Sequence, residues 1–135
     1  MLRNGFVVMA VAGLIAAVAL TGTRAAPAKT GPLISHDVYF TLQERTPENR
    51  QKLVDGCHKY LTGHPGTVFY AAGPIAAEFD RPVNDREFDV ALHVVFEDKA
   101  AHDRYQDAER HQQFIETCKG LWKTVRVFDS AVERK

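Results

Sequence analysis

Six histidines are the side chains of this 135-residue chain that are best suited to chemistry near neutral pH. Imidazole titrates near neutrality, so a histidine can exchange a proton under physiological conditions. No two of the six have the four-residue spacing of a helical zinc site, and no HExxH motif occurs, so neither a metal site nor a cofactor is predicted. The sequence also has no serine nucleophile elbow and no activating motif beside a cysteine, so it does not predict covalent catalysis.

Three side chains have both a structural and a catalytic interpretation. His36 shares a strand face with Val38 and Phe40, where it is either a structural hydrogen-bonding group or a proton acceptor and donor. Tyr105 is either an aromatic residue at the edge of the core or a hydrogen-bond donor to a substrate carbonyl or enolate. His111 is either an exposed histidine on a long helix or part of the same site. The residues alone leave these alternatives open.

The other histidines are predicted to have no catalytic role. His93 is expected on the second face of the sheet, beside Asp89 and near Asp37 or Tyr39, which favours a role in a dimer interface. The remaining three are predicted to face solvent or to lie in loops, namely His58, His64 and His102.

The elements that position these side chains follow the order βαββαβ. Alternating apolar residues predict strands, helical spacing of apolar residues predicts two helices, and capping residues mark the helix starts. The predicted segments are a strand over 34–42, a helix from Thr46 to Gly63, strands over 67–75 and 88–96, a helix from Asp98 to Gly120, and a strand over 122–129. This order predicts an α+β, ferredoxin-like domain, in which a four-stranded antiparallel sheet has its helices on one face.

The second face of that sheet has no helix to cover it. Its predicted apolar residues are Val68, Tyr70, Ala91, Val95 and Phe128. Because a monomer rarely exposes an apolar patch of this size, we expect two sheets to pack face to face in a homodimer.

The N-terminal region has the three parts of a secretory signal peptide. Arg3 precedes an unbroken apolar run over 6–20, and small residues follow it. We expect a signal peptide over residues 1–28, cleaved after Ala25 or Ala28, and a mature domain over 33–131. The alternative is an uncleaved anchor. The protein is therefore predicted to be exported, periplasmic or secreted, without stable membrane association after cleavage.

Charge and cysteine content bear on the partners of the protein and on the state of its thiols. The chain has 17 basic and 17 acidic residues, so no basic excess predicts a nucleic-acid partner. Cys57 and Cys118 each lie in an apolar helical series and are predicted to be buried thiols. We expect them near the far ends of antiparallel helices, which is too far apart for a disulfide.

Several segments resemble the stress-responsive dimeric α/β-barrel (Dabb) family. The resemblance rests on His36-Asp37-Val38-Tyr39-Phe40, on Asn84-Asp85-Arg86-Glu87-Phe88-Asp89-Val90-Ala91-Leu92 with Phe96-Glu97-Asp98-Lys99-Ala100, and on Leu121-Trp122-Lys123-Thr124-Val125-Arg126-Val127-Phe128-Asp129. It implies a dimeric α/β-barrel but little about function, because a fold alone does not define an activity.

One branch of the family, the plant polyketide cyclases that make olivetolic acid, closes an aldol ring without cofactor or metal. The resemblance implies that His36, Tyr105 and His111 correspond to its working residues. The family often has His-Pro-x-His around the last histidine, whereas this chain has Ala108-Glu109-Arg110-His111. Tyr105 and His111 diverge by about 120° on a straight helix. We therefore hypothesise a kink near Asp107 and Ala108.

Two functions follow from this reading. The first is a homodimeric module that binds a small apolar or aromatic ligand, or has a regulatory role, without assigned catalysis. The alternative is a cofactor-free cyclase, lyase or isomerase that uses histidine and tyrosine on an aromatic or polyketide-like carbonyl compound. The first is favoured because the helix-breaking part of the motif is missing.

Overall fold

A computed structural model describes residues 31–133 of the chain. The predicted signal peptide lies outside these residues, so it stays a prediction. Within the described part of the chain, no helix is long and apolar enough to cross a membrane.

The domain is one antiparallel sheet with helices on one face. Its elements in chain order are β1 (Leu33–Leu42), α1 (Pro47–Leu61), β2 (Thr67–Pro74), β3 (Val90–Phe96), α2 (Lys99–Asp107), α3 (Glu109–Cys118) and β4 (Trp122–Val132). The strands lie in the order β2-β3-β1-β4, and every neighbouring pair is antiparallel. This is the predicted ferredoxin-like βαββαβ order, with the second helix divided into α2 and α3.

Local sequence explains where the helices begin. Thr46 caps α1 by accepting a hydrogen bond from the Asn49 N–H, and Pro47 occupies the first turn. Asp98 caps α2 in the same way through the Ala101 N–H. Alternate residues of β1 and β3 point beneath the helices and form the core, as the apolar alternation predicts.

The break between α2 and α3 lies at Ala108, which confirms the hypothesised kink. Ala108 has an extended conformation, with φ −65° and ψ 137°, and its N–H donates to the Tyr105 carbonyl. No proline causes the break. Instead, Arg110 Nη2 donates to two carbonyls at the C-terminal end of α1, that of Lys59 in its last turn at 3.1 Å and that of the C-cap Thr62 at 3.0 Å. These bonds place the start of α3 by tertiary contact, which overrides the helix propensity of the segment.

The face opposite the helices is partly apolar, although two of its residues were predicted wrongly. Tyr70 pairs with Val94 on the helix side and its hydroxyl contacts His58, whereas the neighbouring Phe69 pairs with Val95 on the bare face and is 54% exposed. Asp89 was predicted beside His93 on the bare face, but its side chain is fully buried.

The two cysteines are buried and free. The prediction that they lie at far ends of antiparallel helices is wrong. The Cys118 Sγ atom packs against Gly56, the residue that precedes Cys57 in α1. A Cβ atom placed on Gly56 would be only 2.6 Å from that sulfur. Burial, and secondarily the nearby Cys118, raises the pKa of the Cys57 thiol to about 12, so it is protonated and unreactive at neutral pH.

Candidate functional site

A cavity of about 330 Å³ lies between the sheet and the divided second helix. Apolar side chains form most of its wall. Its polar lining residues are His36, Tyr105, Gln106, His111 and Asp129. The structure therefore brings together all three side chains that the sequence singled out.

The break at Ala108 is what makes this convergence possible. His36 reaches the cavity because alternate residues of β1 point beneath the helices, and its ring centroid is 5.7 Å from that of Tyr105. The Tyr105 and His111 rings are 4.7 Å apart, although one lies on α2 and the other on α3. A straight helix would have directed them about 120° apart.

Two buried polar atoms of the site, the Tyr105 hydroxyl and His111 Nδ1, have no hydrogen-bond partner among residues 31–133. Burial raises the pKa of Tyr105, so the group remains a hydroxyl that can donate. Burial lowers the pKa of His111, an effect that the Gln106 backbone opposes and nearby histidines reinforce. His111 is therefore neutral at physiological pH. One side of the cavity thus offers a proton donor beside a neutral imidazole.

His36 has a carboxylate partner on the neighbouring strand. Its Nδ1 lies 2.7 Å from Asp129 Oδ1, and the two residues are directly opposed in the β1–β4 pairing. The His36 side chain is 6% exposed, whereas that of Asp129 is 49% exposed. The pair fixes the orientation of the imidazole, because a donating Nδ1–H leaves the lone pair on Nε2.

Two of the histidines that were predicted to face solvent or to lie in loops are close to this site, and His64 does lie in the loop between α1 and β2. His102 packs against His36 at 5.3 Å between ring centroids, and its side chain is only 16% exposed. His64 is buried, lies 4.9 Å from the Tyr105 ring, and its ring nitrogen contacts the Tyr60 carbonyl. Asp129 was not singled out at all. In the sequence, Asp129 is marked only by its place in the last strand. That it lies opposite His36 follows only from the register of the β1–β4 pairing.

A second and larger cavity of about 500 Å³ lies on the bare face of the sheet. Its wall includes Tyr39, Phe128 and Arg126, and Arg126 Nη1 donates to Asp85 at 2.8 Å. His93 is on this face near Asp37, as predicted, with its Nδ1 2.5 Å from Asp37 Oδ1, whereas Asp89, which was predicted beside it, is fully buried. Because this cavity lies on the bare sheet face, we expect any partner that packs against that face to cover the cavity as well.

Comparison with known proteins agrees with the architecture. A family described as Stress responsive A/B Barrel Domain matches residues 34–132. The fold is similar to that of a dimeric ferredoxin-like protein of unknown function from Thermobifida fusca, which is 18% identical with a TM-score of 0.62, over 76% of this chain and 93% of that one. No curated protein matches the chain significantly.

Two further structures are similar over nearly their whole length. A Dabb family protein with a ferredoxin-like fold from Mesorhizobium loti is 20% identical, with a TM-score of 0.62 over 76% of this chain and 99% of that one. A hydroxynitrile lyase from Passiflora edulis is 12% identical, with a TM-score of 0.61 over 78% and 97% of the two chains. At these identities the likeness shows the fold alone.

Proposed function

The chain belongs to the stress responsive A/B barrel domain family, and from this premise we propose that it is a homodimer that binds a small, mainly apolar carbonyl compound between its sheet and helices. The observation that carries the proposal is the pair of buried polar atoms, Tyr105 Oη and His111 Nδ1, that have no hydrogen-bond partner in the described part of the chain. Buried polar groups in proteins are almost always hydrogen-bonded, and leaving one unpaired costs about 1–3 kcal/mol. A ligand oxygen placed between them would accept from the hydroxyl.

The size and lining of the cavity support the same ligand class. Its volume of about 330 Å³ is at the lower end of the range typical of small-molecule sites. The remaining wall is aliphatic and aromatic, and includes Phe40, Phe114 and Trp122. A compact aromatic or polyketide-like carbonyl compound would bury its ring against this wall and leave its oxygen for Tyr105.

The homodimer is supported by the bare sheet face and by two relatives that are described as dimeric, the one from Thermobifida fusca and one from Jannaschia. Phe69 and Phe128 are each about half exposed on this face. Packing two such faces together would remove them from water.

A second candidate function is proton-transfer catalysis on the same ligand, without a cofactor. The observation that favours it is the neutral His111 beside the Tyr105 hydroxyl, an arrangement in which the imidazole takes a proton from the carbon next to a carbonyl while the hydroxyl stabilises the enolate oxygen. Aldol-type cyclisation uses such a base together with a group that stabilises the enolate oxygen. One structural neighbour is described as a hydroxynitrile lyase.

Binding is testable with two matched probes, acetophenone and ethylbenzene, which differ mainly in the carbonyl oxygen. We expect acetophenone to bind more tightly than ethylbenzene. The Tyr105→Phe substitution should weaken acetophenone binding about tenfold, because one hydrogen bond to the oxygen is lost. Ethylbenzene should bind the parent and the variant equally. Thermal shift and NMR titration measure both. Tyr60→Phe is the control, because that tyrosine is on α1 and outside the cavity lining.

The same titration in deuterated water separates the two candidate functions. Exchange of the methyl protons of bound acetophenone, abolished in His111→Ala, would favour the catalyst. Binding without exchange would favour the binding module. Absence of binding to either probe, or equal acetophenone affinity in the parent and Tyr105→Phe, would contradict the proposed site.

We further propose that the protein is exported. The support is the apolar run over 6–20 with Arg3 before it and small residues after it. Protein recovered from the native host is expected to begin at Ala26 or Lys29, as measured by intact mass and N-terminal sequencing. Recovery of chains that begin at Met1 in the membrane fraction would instead indicate an anchor.

A further inference from the structure

Three side chains from three different elements meet beside the cavity. They are His36 of β1, His102 of α2 and Asp129 of β4, and one ligand atom from each lies within 4.8 Å of the others. Asp129 Oδ1 is 2.7 Å from His36 Nδ1 and 3.6 Å from His102 Nε2. We infer that this triad is a binding site for a divalent transition-metal ion of the zinc class.

Of the two separations measured from Asp129, one matches that of a metal site and the other is shorter. Ligands held about 2.1 Å from a tetrahedral zinc ion lie roughly 3.4 Å from one another. The two distances measured from Asp129 fall on either side of that value. The His102–Asp129 pair is within about 0.2 Å of that value, whereas His36 and Asp129 must separate by about 0.7 Å, and the metal must displace the Nδ1 proton that His36 otherwise donates to Asp129.

The side chains of Asp103 and Gln106 orient His102 as a ligand. Its Nδ1 lies 3.3 Å from Asp103 Oδ1, so the proton is placed on Nδ1. The Gln106 amide nitrogen is 3.2 Å from Nε2, and an N–H donor there requires a lone pair on Nε2. A histidine that donates one ring nitrogen to a carboxylate and presents the other to a metal is the usual arrangement in zinc proteins.

The donor set selects the kind of ion. Two imidazoles and one carboxylate suit borderline ions such as Zn²⁺ and Co²⁺, whereas Mg²⁺ and Ca²⁺ prefer oxygen ligands throughout. Asp129 is half exposed and provides an entry path, while His36 is almost fully buried. Three protein ligands leave a fourth position for water or for a ligand oxygen. Because His36 and Asp129 also line the cavity, that position adjoins the proposed ligand site.

Direct titration tests the site without any organic ligand. Untagged protein is stripped with a chelator and titrated with Co²⁺, whose visible absorption reports coordination. We expect one Co²⁺ per chain, displaced by Zn²⁺ but not by Mg²⁺. His102→Ala and Asp129→Asn are each expected to weaken binding at least tenfold. Since Asp129 is half exposed, its variant is expected to fold even if the His102 variant does not.

Two controls separate this inference from others. His58→Ala removes a histidine outside the triad and should bind Co²⁺ like the parent. Tyr105→Phe should also bind Co²⁺ like the parent, so the metal site and the proposed ligand site can fail independently. Absence of stoichiometric Co²⁺ binding, or equal affinity in Asp129→Asn and His58→Ala, would overturn the inference.

Discussion

Replacing Ala91 with glutamate is expected to convert the proposed homodimer to a monomer. Ala91 is on the central strand β3, where it pairs with Tyr39 of β1 and Gly73 of β2 on the bare face. A second sheet packed there would bury the new carboxylate without a partner, at a cost of several kcal/mol. A cost of about 4 kcal/mol weakens the dimer about a thousandfold. In the separated chain the carboxylate reaches water, so the fold itself should survive.

Light scattering and sedimentation equilibrium at micromolar concentration measure this change, and far-UV circular dichroism verifies the fold. The matched control is Ala100→Glu, the same substitution at an exposed position of α2. It should remain dimeric. A parent that is already monomeric at these concentrations, or a dimer that is unaffected by Ala91→Glu, would show that this face is not the interface.

The central strands could be predicted from the sequence because their two faces differ. In β1 from His36 onward, and along the whole of β3, every second residue is buried, and the apolar alternation shows it directly. The edge strand β2 has no such contrast. Its run Val68-Phe69-Tyr70 is apolar on both sides and the pairing register shifts between Thr67 and Phe69, so sequence alone placed Tyr70 on the wrong face.

The candidate site could be predicted only in part, for a related reason. His36, Tyr105 and His111 were found through residue type and family resemblance. Asp129 and His102 were missed because their contacts join separate elements, and no spacing along the chain reports a strand register or a helix position. His36, His102 and Asp129 come together only in three dimensions, whereas a helical zinc motif joins residues that are close in sequence.

Asp89 shows the same limit for a buried charge. Side chains alternate between the two faces of a strand, and Val90 faces the helices, so the pattern placed Asp89 on the bare face. Asp89 instead precedes the first residue of β3, and its carboxylate turns inward. There Oδ2 accepts from the Leu42 N–H at 2.9 Å, and Oδ1 accepts from Arg45 Nε at 3.1 Å and Arg50 Nη2 at 2.9 Å. Burial opposes ionisation of this group, yet these hydrogen bonds outweigh it and hold the pKa of Asp89 below its usual value.

Asp89→Asn is therefore expected to destabilise the protein by about 3 kcal/mol, because two guanidinium groups lose their carboxylate while the variant amide keeps the volume. Urea unfolding at one fixed protein concentration measures the free energy of unfolding, since a dimer makes that value concentration-dependent. Asp55→Asn, an exposed aspartate on α1, is the control and should stay within about 0.5 kcal/mol of the parent.

The pH dependence of stability gives a second readout of Asp89. A carboxyl group whose pKa is lower in the folded state stabilises the protein above its unfolded pKa of about 3.8, and this contribution disappears as the pH falls toward the folded value. The parent should therefore lose stability below about pH 4, and Asp89→Asn should lose less over the same interval because its side chain does not titrate. Parallel pH profiles for the two proteins, or a loss at neutral pH no larger than that of Asp55→Asn, would show that the buried ion pairs do not stabilise the domain.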